Sequence, residues 1–454
     1  MRLPRRLDAW LVLAAALAVR LAVVAWAHDL FPAVADGHYY DVLARRLASG
    51  DGYTWLWPDG AVTYAAHYPV GYPAILAVAY AVFGASGAVG MTVNALLGAA
   101  AGYGAYRLVD GEGLARWRPL AAGLAVALHP ALVAYTPAMM TEGVTAALLV
   151  IAAAVASRAR TATRAWPWVV ATGVAMGVAT LVRPQSLVLA PVLGALAVPA
   201  TAAARARWAT AAAVTALALA CVAPWTARNC VRMNRCALVS VNGGWNLLIG
   251  AQTRSGAWEP MSVPSECATV WDEAGKDACF ERAARREIDL APVSWLARAP
   301  AKLGATFDYV GAAPWYLHES APSAFGDAAK VRLGVAETVV SRLLLLGALV
   351  ACGWAAGPRA VARKVVALAA ALAAITHHGW LGYVGIVVCV ALLGRQSLAR
   401  APLVVPCTAA VILATAVVHA AFFGAGRYGL VAAPFVAALA FVSVATAAPR
   451  SPGS

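Results

Sequence analysis

Long apolar runs separated by short polar or basic clusters recur along the whole chain. The runs at 7–27, 88–106, 119–137, 141–156, 166–182, 186–200, 208–225, 335–353, 365–376, 379–394, 403–422 and 430–447 predict about twelve membrane-spanning helices. The first, behind Arg2, Arg5 and Arg6, is long enough to span, so it reads as a retained anchor rather than a cleaved leader. A further apolar piece, 69–83, opens with Pro69, Gly71, Tyr72 and Pro73. If it crossed, the arginine clusters between it and the large external segment would all face outward, against the positive-inside rule. It is therefore read as a re-entrant or interfacial helix.

That sidedness turns 27–87, 136–143, the turn at Arg183–Pro184, 226–334, 377–380 and 423–429 outward. The chain divides into an N-terminal transmembrane region (1–225) with a first external loop (28–87), an external soluble domain (226–334) and a C-terminal transmembrane region (335–454), its tail 449–454 disordered. Within the external segment, 267–290 and 292–309 show helical periodicity, and 237–241 is strand-like before a turn at Asn242, Gly243 and Gly244. In the first loop a short amphipathic helix follows Asp36, with Tyr40 and Leu43 on its apolar face, and stops at Gly50–Gly52.

Composition fixes the class. With 62% hydrophobic and 12% charged residues, the chain is an all-α polytopic membrane protein with a small, mainly helical external part. Its net charge of +14 lies in clusters between apolar runs, not in a basic, aromatic-lined groove, which excludes nucleic acid as the partner. Four of eight cysteines, Cys230, Cys236, Cys267 and Cys279, lie in the external segment. Proximity pairs Cys230 with Cys236 and Cys267 with Cys279, in keeping with an oxidising compartment. Zinc is the alternative, but tetrahedral-site spacing is lacking.

The outward segments gather acids (Asp36, Glu142), cations (Arg183, Arg228, Arg427) and His38, His67, His377, His378 and Tyr428. Each has a plain structural reading beside a chemical one: Asp36 as a helix N-cap, Glu142 as a first-turn carboxylate, Arg183 as a snorkelling cation, His67 as a packed surface histidine. Together, cations at a membrane surface suit a lipid phosphate, and a nearby carboxylate suits proton removal from an attacking hydroxyl.

Asp36, Tyr39–Tyr40, Gly50–Tyr53, Pro69–Pro73, Phe83–Gly84, Thr141–Glu142, Leu181–Pro184, Pro224–Trp225, Arg228–Asn229, Asn242–Asn246 and Arg427–Tyr428 occur in an order that resembles bacterial membrane glycosyltransferases of the GT-C fold, relatives of protein O-mannosyltransferases and of the aminoarabinose transferase of lipid A. The resemblance implies inverting transfer of a sugar from a polyprenyl-phosphate donor to a hydroxyl on a lipid, glycan or protein, at the outer face of the cell membrane. It makes Asp36 the catalytic base and Glu142 the second acid, with Tyr40, His67, Arg183, Arg228, Asn242, Asn246, Arg427 and Tyr428 on the substrates. Many relatives have an acidic pair where this chain has Asp36–Gly37, so a divalent metal ion stays open. A multi-pass transporter of a lipid or small solute is the alternative, although no two halves match.

Overall fold

The computed structural model describes residues 5–110, 115–199, 201–309 and 311–442. Arg2 and the tail expected to be disordered, 449–454, lie outside them. Helix α1 (Arg5–Ala27) leads into a loop holding α2 (Asp36–Ala48), a hairpin of β1 (Thr54–Leu56) and β2 (Val62–Tyr64), and α3 (Gly71–Phe83). There follow α4 (Gly87–Asp110), α5 (Trp117–Ala127), α6 (Pro130–Ala134), α7 (Thr141–Thr161), α8 (Trp166–Val182), a 3₁₀ turn (Pro184–Leu189), α9 (Ala190–Leu196) and α10 (Ala204–Arg232). The segment that follows carries α11 (Gly243–Gln252), α12 (Ser265–Ala268), α13 (Glu273–Leu290), α14 (Pro292–Ala297), α15 (Ala299–Phe307) and α16 (Ala312–Ser320). The chain continues through α17 (Asp327–Gly353), α18 (Ala360–Ala374), α19 (Trp380–Leu392), α20 (Gly394–Arg400), α21 (Val404–Ala421), a 3₁₀ turn (Gly426–Val431) and α22 (Ala433–Leu439).

Helix lies on every predicted span. Among the described residues six helices, α1, α4, α7, α10, α17 and α21, are long and apolar enough to cross a membrane alone, and the chain is a multi-pass membrane protein. The remaining predicted spans are shorter or broken. Residues 119–137 fail to form one helix because Pro130 has no N–H to give and restricts His129 before it. The carbonyls freed at the end of α5 are met by Arg20 of α1, which donates to Ala127 at 2.7 Å and, more weakly, to Val126 at 3.4 Å. A buried cation thereby caps a helix C-terminus inside the bundle.

Helix α3 has 13 residues, about 20 Å, too short for a hydrocarbon core of about 30 Å. It packs on α2, α4 and α8. Contact with α8 is backbone to backbone: a Cβ on Gly71 would sit 2.4 Å from Leu181 C and Val182 N. The hairpin pairs Thr54 with Tyr64 and Leu56 with Val62 and was not foreseen, although Asp59–Gly60 between two apolar, β-branched runs is its sequence signal.

The strand expected at 237–241 does not form, because α10 takes its carbonyls. Trp225 Nε1 and Asn229 Nδ2 donate to Val239 O, Thr226 Oγ1 to Leu238 O, and Asn229 Nδ2 also to Ala237 O. The expected boundary at residue 226 likewise falls inside α10, which runs unbroken through Pro224 to Arg232. Cys230 bonds to Cys236 and Cys267 to Cys279, the latter inside a small core with Leu248 and Phe280.

The segment between α10 and α17 is tied to both the loop after α1 and the turn after α21. Glu273, the first residue of α13, accepts from the Ala66 and His67 N–H groups, and Val241 N–H donates to Ala66 O. On the other side Gly424 N–H donates to Gly256 O. Gly71→Val is expected to push α3 off α8 and to cost about 1–3 kcal/mol, as overpacking does. Thermal melting in detergent measures it, and an unchanged midpoint would mean that α3 is free to shift.

Candidate active site

Four charges from distant parts of the sequence meet where helices end. Asp36 is the first residue of α2, Glu142 the second of α7, Arg183 follows α8 directly, and Arg427 lies in the 3₁₀ turn after α21. Arg427 Nη1 stands 2.9 Å from Asp36 Oδ2, and its Nε 3.5 Å from Glu142 Oε1. Arg183 Nη2 reaches the same Glu142 oxygen at 3.3 Å, and Tyr135 Oη donates to the other at 3.1 Å. Tyr68 Oη donates to Asp36 Oδ1 at 3.3 Å. The result is an alternating chain, Asp36–Arg427–Glu142–Arg183, in which each carboxylate has its compensating cation.

The two acids differ in access. Asp36 keeps 35% of its side chain exposed, against 3% for Glu142. Asp36 does not cap its helix: Ala35 is the N-cap, no side chain caps α2, and the carboxylate turns to Arg427 instead. Ala35 itself has φ 50°, a conformation that costs a residue with a Cβ about 1–3 kcal/mol. Glu142 does sit in the first turn of its helix, yet its oxygens are taken by side chains. A Cβ on Gly37, beside Asp36, would lie 3.1 Å from Met139 O and from Tyr316 Oη, so any side chain there requires these neighbours to give by a few tenths of an ångström.

These groups line a cavity of about 590 Å³. Tyr40, His67, Asn242, Asn246 and Tyr428 also line it, as does Gly243. Arg228 does not. Its guanidinium donates to Tyr53 O and Ala65 O and stacks on Trp225 at 4.7 Å, so it fastens the first loop to α10 instead of meeting a substrate. Gly244 packs on α13, His38 is exposed, and His377 and His378 lie by Asp308, away from the cavity. Sequence reading passed over Tyr68, Trp245, Trp258 and His419, which all line it. The His67–Tyr68–Pro69 and Asn242–Asn246 motifs bracket the first two; His419, in apolar α21, stacks on Tyr428 at 4.0 Å and carries no local signal.

A divalent ion between the acids does not fit this arrangement. Arg427 already stands between the two carboxylates, and among the described residues no three His, Cys, Asp or Glu side chains cluster as metal ligands. Among the described residues Arg183 Nη1 is buried with no hydrogen-bond partner, while its guanidinium lies over the Tyr428 ring at 4.9 Å; the desolvation of that donor is uncompensated until an acceptor reaches it.

A family model described as dolichyl-phosphate-mannose-protein mannosyltransferase matches residues 67–227, a stretch that contains His67, Glu142 and Arg183. No curated protein matches the chain. Among solved structures, the oligosaccharyltransferase of Archaeoglobus fulgidus in its apo form superposes with a TM-score of 0.50 at 14% identity over 95% of this chain and 50% of that one. The same enzyme tethered to an acceptor peptide gives 0.50 at 13% identity, over 96% and 49%. ArnT from Cupriavidus metallidurans bound to undecaprenyl phosphate gives 0.39 at 16% identity, over 94% and 77%. The chain thus has the GT-C fold, and it spans about half the length of the oligosaccharyltransferase chains.

Burial pushes the His67 imidazole down from 6.5 to about 4, against a smaller upward pull from Asp36. The neutral form is the one the fold accepts, so its contribution to stability is whole above pH 6.5 and is lost as the pH falls toward about 4. Melting midpoints measured across that window are expected to fall less steeply in His67→Gln than in the parent. Equal slopes would assign the acid sensitivity to another group.

Proposed function

We propose that the protein is a membrane glycosyltransferase that moves a sugar from a polyprenyl-phosphate donor to a hydroxyl on a lipid, glycan or protein acceptor, at the outer face of the cell membrane. The observation that carries this reading is the partly exposed Asp36 carboxylate paired with Arg427 in a cavity whose walls also carry Arg183. The match to a family whose description names a dolichyl-phosphate-linked sugar supports the donor class. The positive-inside assignment supports the outer face.

The charges account for the chemistry. Asp36 takes the proton of the acceptor hydroxyl as its oxygen bonds to the anomeric carbon. The bond from that carbon to the phosphate oxygen breaks, and its electron pair stays with the phosphate. Attack opposite the leaving phosphate inverts the anomeric centre. One negative charge leaves Asp36 and one appears on the phosphate. Arg427, 2.9 Å from Asp36, loses its partner at the moment the phosphate needs one, and Arg183 offers its unpaired Nη1. Glu142, enclosed by two arginines and Tyr135, acts through them: it holds both cations in place and is not a base for the acceptor. Tyr40, His67, Asn242 and Asn246 line the remaining cavity, where sugar and acceptor are held.

Purified protein in detergent, given a panel of polyprenyl-phosphate sugars and a crude envelope acceptor, is expected to transfer sugar. Asp36→Asn should lower the rate by about a hundred- to ten-thousandfold, with donor binding retained. Transfer that persists in the variant would remove Asp36 from the chemistry, and no transfer with any donor would favour transport. Because Arg427 occupies the space between the acids, EDTA is expected to leave the rate unchanged; loss restored by added metal would contradict that.

A further inference from the structure

We propose that a groove at the far end of the bundle from the candidate site binds one anionic glycerophospholipid. The groove, about 350 Å³, runs between α4 and α7 and is closed on one side by Trp168 of α8. On α4 it is lined by Ala100, Tyr103, Gly104 and Arg107, and on α7 by Ile151, Ala154, Val155 and Arg158. Both sets follow the i, i+3, i+4, i+7 spacing of a single helix face. Each stripe is therefore apolar toward the middle of the bundle and reaches an arginine near its end, on α7 beside Ser157 and Thr161. Arg158 lies about 24 Å along α7 from Glu142 at 1.5 Å per residue, so the groove opens at the opposite membrane face.

The two arginines differ from Arg116, Arg118 and Arg160 nearby. Arg116 pairs with Asp8 at 2.7 Å, Arg118 donates to Phe441 O, and Arg160 donates to Ala399 O at 2.7 Å. Among the described residues Arg107 and Arg158 make no ion pair and no side-chain hydrogen bond, and no carboxylate lines the groove. Arg158 only lies over the Trp168 ring, at 5.8 Å. Two free guanidiniums above a slot walled by alanine, glycine and valine fit a lipid phosphate with an acyl chain running below it. Tyr103 and Trp168, each more than a third exposed, stand at the level where aromatic side chains meet headgroups. A free phosphate would use the arginines but leave the slot empty. The lipid would brace α4 against α7, the helix that carries Glu142 at its other end.

The test is the melting midpoint of delipidated protein in detergent, read for each protein against its own lipid-free value. Phosphatidylglycerol is expected to raise the parent by about 3 °C when present at about a hundredfold over its dissociation constant. Phosphatidylcholine and inorganic phosphate should not. Arg107→Gln with Arg158→Gln, which removes the charges, and Ala154→Phe, which fills the slot, should each lose the shift. Should a variant not fold, native mass spectrometry of the parent decides: retained phosphatidylglycerol supports the site, and equal retention of phosphatidylcholine overturns it. A shift of the same size with phosphatidylcholine or inorganic phosphate, or one that survives both changes, also overturns the proposal.

Discussion

Four charges that cannot be left unpaired near hydrocarbon hold this structure to one arrangement. Asp36, Glu142, Arg183 and Arg427 each sit at the end of a helical element. An uncompensated charge at such a site costs several kcal/mol, so α2, α7, α8 and the turn after α21 must bring their ends to the same place. Once they do, the loop after α1 and the turn after α21 become neighbours across nearly the whole length of the chain. The segment between α10 and α17 follows from that meeting, since Glu273 grips 66–67 while Gly256 grips Gly424.

The same demand, that polar groups within the bundle find partners there, explains the irregular stretches. The break at Pro130 is tolerated because Arg20 takes up the carbonyls of 126 and 127. The extended piece 237–241 is tolerated because side chains of α10 do the work of a neighbouring strand. Backbone that departs from helix appears where other protein groups satisfy it. The second of these stretches reaches the cavity, where Ser240 is part of the wall.

Helix α7 connects the two proposals. Its first turn holds Glu142 between the arginines, and its last turn carries Arg158 into the groove. Its body is largely buried and rich in alanine, which lets neighbouring helices approach closely.

By itself the sequence determined what depends on local pattern. Apolar runs marked the helices, and the placement of arginines argued against a span at 69–83 and predicted an orientation for the loops. Glu142 and Arg183 were legible as candidates because ionisable residues at the ends of apolar runs are costly without a partner, and Asp36 and Arg427 because their motifs fall in the segments read as outward. Only the tertiary structure decided which of them meet. It turned Asp36 from a helix cap into the partner of Arg427, enclosed Glu142, and sent Arg228 into the backbone of the first loop. It also brought Tyr68, Trp245 and His419 to the cavity. Periodicity reports which residues share a face of one helix; it carries no information on which helix ends come together, because that is settled by packing and by the pairing of charges that the chain keeps far apart.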